Sequence, residues 1–223
     1  LNIHSPMSVG VWLLVLFFIV SALAAMFWLR PSERRRILWI GRLPVWSSPS
    51  WKRRIGAIGI PFALGVSIYT GVLLSACALP LWRSPLLPFF FFISALSLGI
   101  EGGAILGIAA LRKSNPDAMK QPLRFLRRAY RVILPVYLVT ALLFVVILVA
   151  SPTSRGAALG FFTGWSGWIW WVGVMGIGIL LPLIMVMRHD GKPMRHAVWF
   201  SGCLIAGDFL LRLVLVLAGQ GAI

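Results

Sequence analysis

Six stretches of about twenty mostly apolar residues, separated by short polar connections, constrain this chain more than any other feature it has. The hydrocarbon core of a bilayer is about 30 Å thick, and about 20 helical residues cross it at roughly 1.5 Å per residue. No water reaches the backbone there, so each run must close its own hydrogen bonds as a helix. The runs place spans at about 8–29, 55–79, 86–111, 132–150, 165–187 and 197–218. Composition agrees: 60% of the 223 residues are hydrophobic and only 12% are charged, too few for the surface of a soluble domain. The expected fold is an all-α integral membrane protein, a single transmembrane helical domain over residues 1–223.

A net charge of +16 would point to nucleic acid in a soluble protein, but the placement of the 21 basic residues points elsewhere. The connections 30–54, 112–131 and 188–195 hold eight, seven and three of them, and the alternate connections hold only Arg83 and Arg155. That asymmetry places the three basic connections in the cytoplasm and both ends of the chain outside, and leaves no case for a nucleic-acid partner; the expected location is a bacterial or archaeal cytoplasmic membrane. Trp165, Trp168, Trp170 and Trp171 cluster at the outer end of the fifth span, and Trp28, Trp46, Trp51 and Trp199 mark inner boundaries. Pro61, Pro88, Pro135 and Pro182 lie inside or beside the spans, mostly near an end, where a lost hydrogen bond is tolerated. Arg124, Arg127, Arg128 and Arg131 recur at helical spacing, as in a short amphipathic helix lying on the membrane surface. The start at Leu1, with neither a methionine nor a signal-peptide pattern, is read as that of a fragment.

Ionisable side chains inside a span cost about 2.5–3.5 kcal/mol each and need an internal partner or a wet cavity. Three such residues stand out. Glu101 falls near the middle of the third span, where it is either a proton-exchanging group or a structural hydrogen-bonding partner. Asp208 and Arg212, four apart in the last span, share one helix face and can neutralise each other. The pair is either structural, or a proton relay with Arg212 reaching a polar headgroup. Tyr69 lies towards the outer half of the second span and can donate a hydrogen bond there. Gly99, Gly103 and Gly107 make a small-residue ridge that predicts a tight helix crossing beside Glu101. Cys77 and Cys203 read as packing residues, and the chain offers no catalytic or metal-ligand constellation. His4, His189 and His196 lie at span edges rather than within spans, so no haem is expected, and with only two cysteines there is no set to hold an iron–sulfur cluster in this chain.

The stretch IPFALGVSIYTGVLLS from Ile60 to Ser75, then Pro80 and Trp82, then LLPFFFFISALSLG ending at Gly99, resembles the polysulfide-reductase membrane-subunit family of NrfD/PsrC type. SPMSVGVW from Ser5 to Trp12 is similar to the segment entering that family's third span, and LLRLVLVLAGQ from Leu210 to Gln220 to its closing span. The resemblance therefore runs over nearly the whole chain. It implies an eight-helix subunit of two four-helix bundles, with this sequence corresponding to its last six helices.

It also implies a haem-free quinone or quinol-binding membrane anchor subunit of a respiratory molybdopterin oxidoreductase complex. Such a subunit passes electrons between the quinone pool, menaquinone or ubiquinone, and a four-cluster ferredoxin-like iron–sulfur subunit that serves a molybdopterin catalytic subunit. On this resemblance Tyr69 lines the quinol pocket and Arg212 is the closing-span arginine. Proton transfer by Glu101 and Asp208 rests on the membrane argument alone. Two other readings stay open: a secondary transporter or channel using Glu101, Asp208 and Arg212, and a structural anchor without quinone binding. Neighbouring genes for iron–sulfur and molybdopterin subunits would favour the redox reading.

Overall fold

A computed structural model describes residues 6–29, 48–77, 79–111, 120–188 and 195–219. They form seven helices: α1 (Pro6–Trp28), α2 (Pro49–Ser75), α3 (Leu87–Leu111), α4 (Lys120–Ala150), the short α5 (Arg155–Thr163), α6 (Trp165–Arg188) and α7 (Arg195–Gly219). All except α5 are long and apolar enough to cross a membrane. There is no strand among the described residues. The protein is an all-α, multi-pass membrane protein, as the apolar runs require.

The contacts divide into two compact units, Leu1–Leu73 and Leu74–Ile223. In the first, α1 and α2 run antiparallel, and glycines set their spacing. A β-carbon on Gly65 would stand 3.1 Å from Leu13 and one on Gly59 3.5 Å from Val20, while the Tyr69 ring occupies the space a side chain on Gly10 would need. Small residues facing large ones bring two helices close in lipid, where packing replaces the hydrophobic effect as the driving force.

In the second unit α3, α4, α6 and α7 surround a core in which Leu87, Phe90, Phe144, Trp170, Ile179, Leu211 and Val214 are fully buried. Trp170 is its centre, with the rings of Phe90, Phe144 and Phe162 within 5.4–6.0 Å at tilted or edge-on angles. Trp165 and Trp168 are 68% and 70% exposed, whereas Trp170, expected in the same outer belt, is a core residue. The cause is local backbone geometry. From Ile169 to Leu180 the helix widens to a π-helix, just before Pro182, whose ring supplies no N–H to the preceding turn. Trp170 and Ile179 are nine residues apart, two and a half turns of an ordinary α-helix, and would face opposite ways; widened turns bring both into the core.

Other expectations also change. The basic stretch with Arg124, Arg127, Arg128 and Arg131 is the first part of α4 rather than a separate surface helix, because the helix runs unbroken from Lys120 through Pro135. Pro61 likewise sits mid-helix in α2. The glycine ridge does not form a tight crossing at Gly99 or Gly103, where an added β-carbon would meet nothing within 4 Å. Each lies two residues from Glu101, about 200° around the helix, so ridge and carboxyl face opposite ways. Gly107 lies outside the residues whose surroundings are described. Close approach occurs instead between α6 and α7, where a β-carbon on Gly178 would stand 2.7 Å from the Gly207 Cα.

Side-chain hydrogen bonds help hold the described connections. Trp82 donates its indole N–H to the Leu215 carbonyl at 2.8 Å, tying the α2–α3 connection to α7, and Ser154 Oγ donates to the Leu148 carbonyl at 2.9 Å at the end of α4. Gly178→Ala and Gly207→Ala should each cost about 1–3 kcal/mol by overpacking backbone against backbone. Gly99→Ala, in open space, should hold or raise stability because alanine is the better helix former. Thermal unfolding of the detergent-solubilised variants separates the two behaviours.

Candidate functional site

Three helices of the second unit each contribute two polar residues seven apart: Ser94 and Glu101 on α3, Tyr130 and Tyr137 on α4, Ser201 and Asp208 on α7. Seven residues make nearly two full turns, so each pair shares a face with about 10 Å between its members. Because α3 runs antiparallel to α4 and α7 relative to the basic connections, the six residues sort into two stacked layers. Each layer holds one carboxylate, one tyrosine and one serine, drawn from different helices.

In the layer nearer the basic connections, Tyr130 donates its hydroxyl to Glu101 Oε2 at 2.5 Å and Ser201 donates to Glu101 Oε1. Glu101 is 3% exposed, so both carboxyl oxygens are bonded where water is scarce. Phe200 packs edge-on against the Tyr130 ring, 4.9 Å between centroids, and fixes the phenol's direction.

In the second layer Asp208 is 4% exposed and forms the expected ion pair with Arg212 one turn along α7. Ser94 donates to Asp208 Oδ1 and accepts from Arg212 Nη2 at 3.3 Å, and Tyr137 makes a longer hydroxyl contact with Asp208 Oδ1 at 3.4 Å. The Tyr137 ring packs edge-on against Phe90, 5.6 Å between centroids, which joins this layer to the aromatic core. Removing either member of a buried ion pair leaves an uncompensated charge, costing about 3–5 kcal/mol. Arg212 differs from its partner in being 38% exposed, so the guanidinium neutralises Asp208 on one side and offers free donors on the other.

Ser97 lies between the layers on the same α3 face, three residues from Ser94 and four from Glu101. It is 3% exposed, and its hydroxyl has no hydrogen-bonding partner among the described residues. The Trp170 indole N–H is likewise buried and unpartnered among them.

Tyr69 belongs to the first unit. Its ring is half-buried in the notch left by Gly10, with Cζ and the hydroxyl oxygen among the atoms nearest that glycine. Of the residues expected to act, Asp208 and Arg212 are brought into direct contact, Glu101 stands two turns away in its own network, and Tyr69 sits beside α1. Reading the sequence residue by residue misses Tyr130, Tyr137, Ser94, Ser97, Ser201 and Gly10. The repeated seven-residue spacing of polar residues on three apolar runs is the signal that could have found most of them. His4 and His189 lie outside the described residues, as does the His196 side chain; no group of three or more potential metal ligands occurs among the described ones.

The family model described as polysulphide reductase, NrfD, matches residues 1–223, from one end of the chain to the other. The chain belongs to the NrfD family. It is 31% identical over 176 residues to the C component of the polysulfide reductase of Wolinella succinogenes, covering 77% of this chain and 55% of that protein. It is 28% identical over 237 residues to protein NrfD of Escherichia coli, covering 97% of this chain and 70% of that protein. The C component of the selenate reductase of Mesobacillus selenatarsenatis is 27% identical over 176 residues, 76% of this chain and 40% of that protein. The NrfD-family chain thus spans about half the length of the Wolinella relative.

The ion pair makes a direct prediction. Arg212→Ala should lose about 3–5 kcal/mol of stability or fail to accumulate and Asp208→Ala clearly less, because the guanidinium it leaves is partly exposed, whereas the double variant should lose less than the sum. A double-mutant cycle on unfolding in detergent measures the coupling; additive losses would mean that the pair contributes nothing as a pair.

Proposed function

We propose that this NrfD-family protein is a haem-free, quinone-reactive membrane subunit of a respiratory oxidoreductase complex. In this reading it exchanges electrons with a four-cluster ferredoxin-like iron–sulfur subunit docked on the outer side, and through it with a molybdopterin catalytic subunit. Its basic connections face the cytoplasm, which puts the Asp208 layer in the outer half of the bilayer and the Glu101 layer in the inner half. The observation that carries the reading is the Asp208 network. It is buried against an aromatic core, yet leaves the Arg212 guanidinium partly open. The names of the relatives support it, since two of them are components of polysulfide and selenate reductases.

The residues present fit a quinone. Such a molecule needs apolar surroundings for its ring and tail and a few donors for its carbonyl oxygens. Tyr69, aimed by the Gly10 notch, is the donor the resemblance assigns within the first unit, and the open edge of Arg212 is, separately, the one it assigns within the second. A bound quinol supplies electrons and protons. Asp208 and Glu101 are the groups that accept and pass on those protons. Arg212 and Ser94 hold the Asp208 carboxylate in place, and Tyr130 and Ser201 do the same for Glu101.

In the intact complex, Tyr69→Phe should weaken quinol affinity by about 1 kcal/mol, roughly fivefold, by deleting one hydrogen bond. Gly10→Ala should act in the same direction by displacing the ring. Glu101→Gln should instead slow turnover with affinity retained. Steady-state quinol oxidation read at the iron–sulfur subunit measures all three, and wild-type values for Tyr69→Phe would remove that residue from the site.

A further inference from the structure

Hydroxyls inside transmembrane helices ordinarily fold back onto the carbonyl three or four residues earlier. Ser67 donates to Leu64 at 2.8 Å, Thr70 to Val66 at 3.2 Å and Thr140 to Val136 at 2.7 Å. Ser97 does not do this, although it is more deeply buried than Ser67 or Thr70. A buried hydroxyl without a partner is destabilising, because it has given up its bonds to water and gained none. Its neighbours on the same α3 face are Ser94, which is bonded to Asp208 and Arg212, and Glu101, which is bonded to Tyr130 and Ser201. Residues three and four apart on a helix have β-carbons about 5–6 Å apart; Ser97 bonds directly to neither neighbour, and one bridging water can span such a gap.

We propose that Ser97 holds ordered water that joins the Glu101 layer to the Asp208 layer, making one proton path from Tyr130 and Glu101 to Asp208 and Tyr137. A buried water needs two to four polar partners, and the Ser97 hydroxyl, the Glu101 carboxyl and the oxygens of the Ser94–Asp208 network provide them. One proton enters the path at one carboxylate and one leaves at the other. At each link an O–H bond breaks as the next forms, so every group along the way ends as it began. Ser97 is a relay residue: it touches neither quinone nor metal. The Ser94–Ser97 pair of the SALSLG stretch thereby acquires a role that no apolar packing requirement explains. The use of the path rests on the quinone reading above, whereas the water site itself does not.

Two measurements on the full-length protein in its complex test this. A density map fine enough to show ordered water should hold a solvent peak within hydrogen-bonding distance of Ser97 Oγ, lost in Ser97→Ala and kept in Ser97→Thr. Quinol turnover by Ser97→Ala should fall on the order of tenfold, with quinol KM unchanged and an enlarged solvent isotope effect, and Ser97→Thr should recover it. No solvent peak in the wild-type protein, or wild-type turnover and isotope effect in Ser97→Ala, would overturn the relay. A wild-type complex that holds the Ser97 water yet never reacts with quinol would overturn the quinone reading instead and leave the water site standing.

Discussion

A bilayer offers no water to an unpaired polar group, and the polar interior of this protein follows from that constraint. Asp208, at 4% exposure in a membrane-spanning helix, needs a compensating partner, and Arg212 one turn further along supplies it. Ser94 then serves both members of the pair, so α3 and α7 are tied by side chains as well as by apolar packing. Glu101 meets the same requirement differently, with two hydroxyl donors from two helices and no cation among the described members of its network. The two carboxylates are thus set in distinct environments, Asp208 beside a cation and Glu101 between two hydroxyls.

Packing in the absence of a hydrophobic driving force explains the rest of the bundle. Small residues stand where helices approach: Gly178 against Gly207 in the second unit, and Gly10, Gly59 and Gly65 in the first. The widened backbone from Ile169 to Leu180 rotates α6 so that Trp170, Val174 and Ile179 all face inward. That rotation builds the aromatic core beside the Asp208 layer, and Tyr137 bridges the two with its ring on Phe90 and its hydroxyl towards Asp208. Large apolar side chains elsewhere, such as Phe18 at 74% exposure, cover the surfaces that lipid or neighbouring helices meet.

Hydropathy makes the helices legible because the cost of exposing a backbone to hydrocarbon is local and depends on each run alone. For the same reason the fold class, the six spans and the Asp208–Arg212 pair, which lies within one helix, can be read directly. The limits show where rotation matters. Gly99 and Gly103 have the spacing of a crossing and face open space, while Gly178 and Gly207, far apart in the sequence, form the true contact. Trp170 has the position of an interfacial residue and is fully enclosed in the core.

The sequence by itself determined that this chain spans a membrane in helices, that its charge is confined largely to the connections, and that it carries a few ionisable residues where they are costly. Its motifs also sufficed to place it beside the NrfD family. Only the tertiary structure decided which residues meet: that Tyr130 and Ser201 serve Glu101, that Ser94 joins Asp208 to Arg212, and that Ser97 stands between them without a partner among the described residues. Those contacts depend on the rotation and vertical register of one helix against another. Both are set by packing between residues far apart in the chain, which no property of a single apolar run encodes.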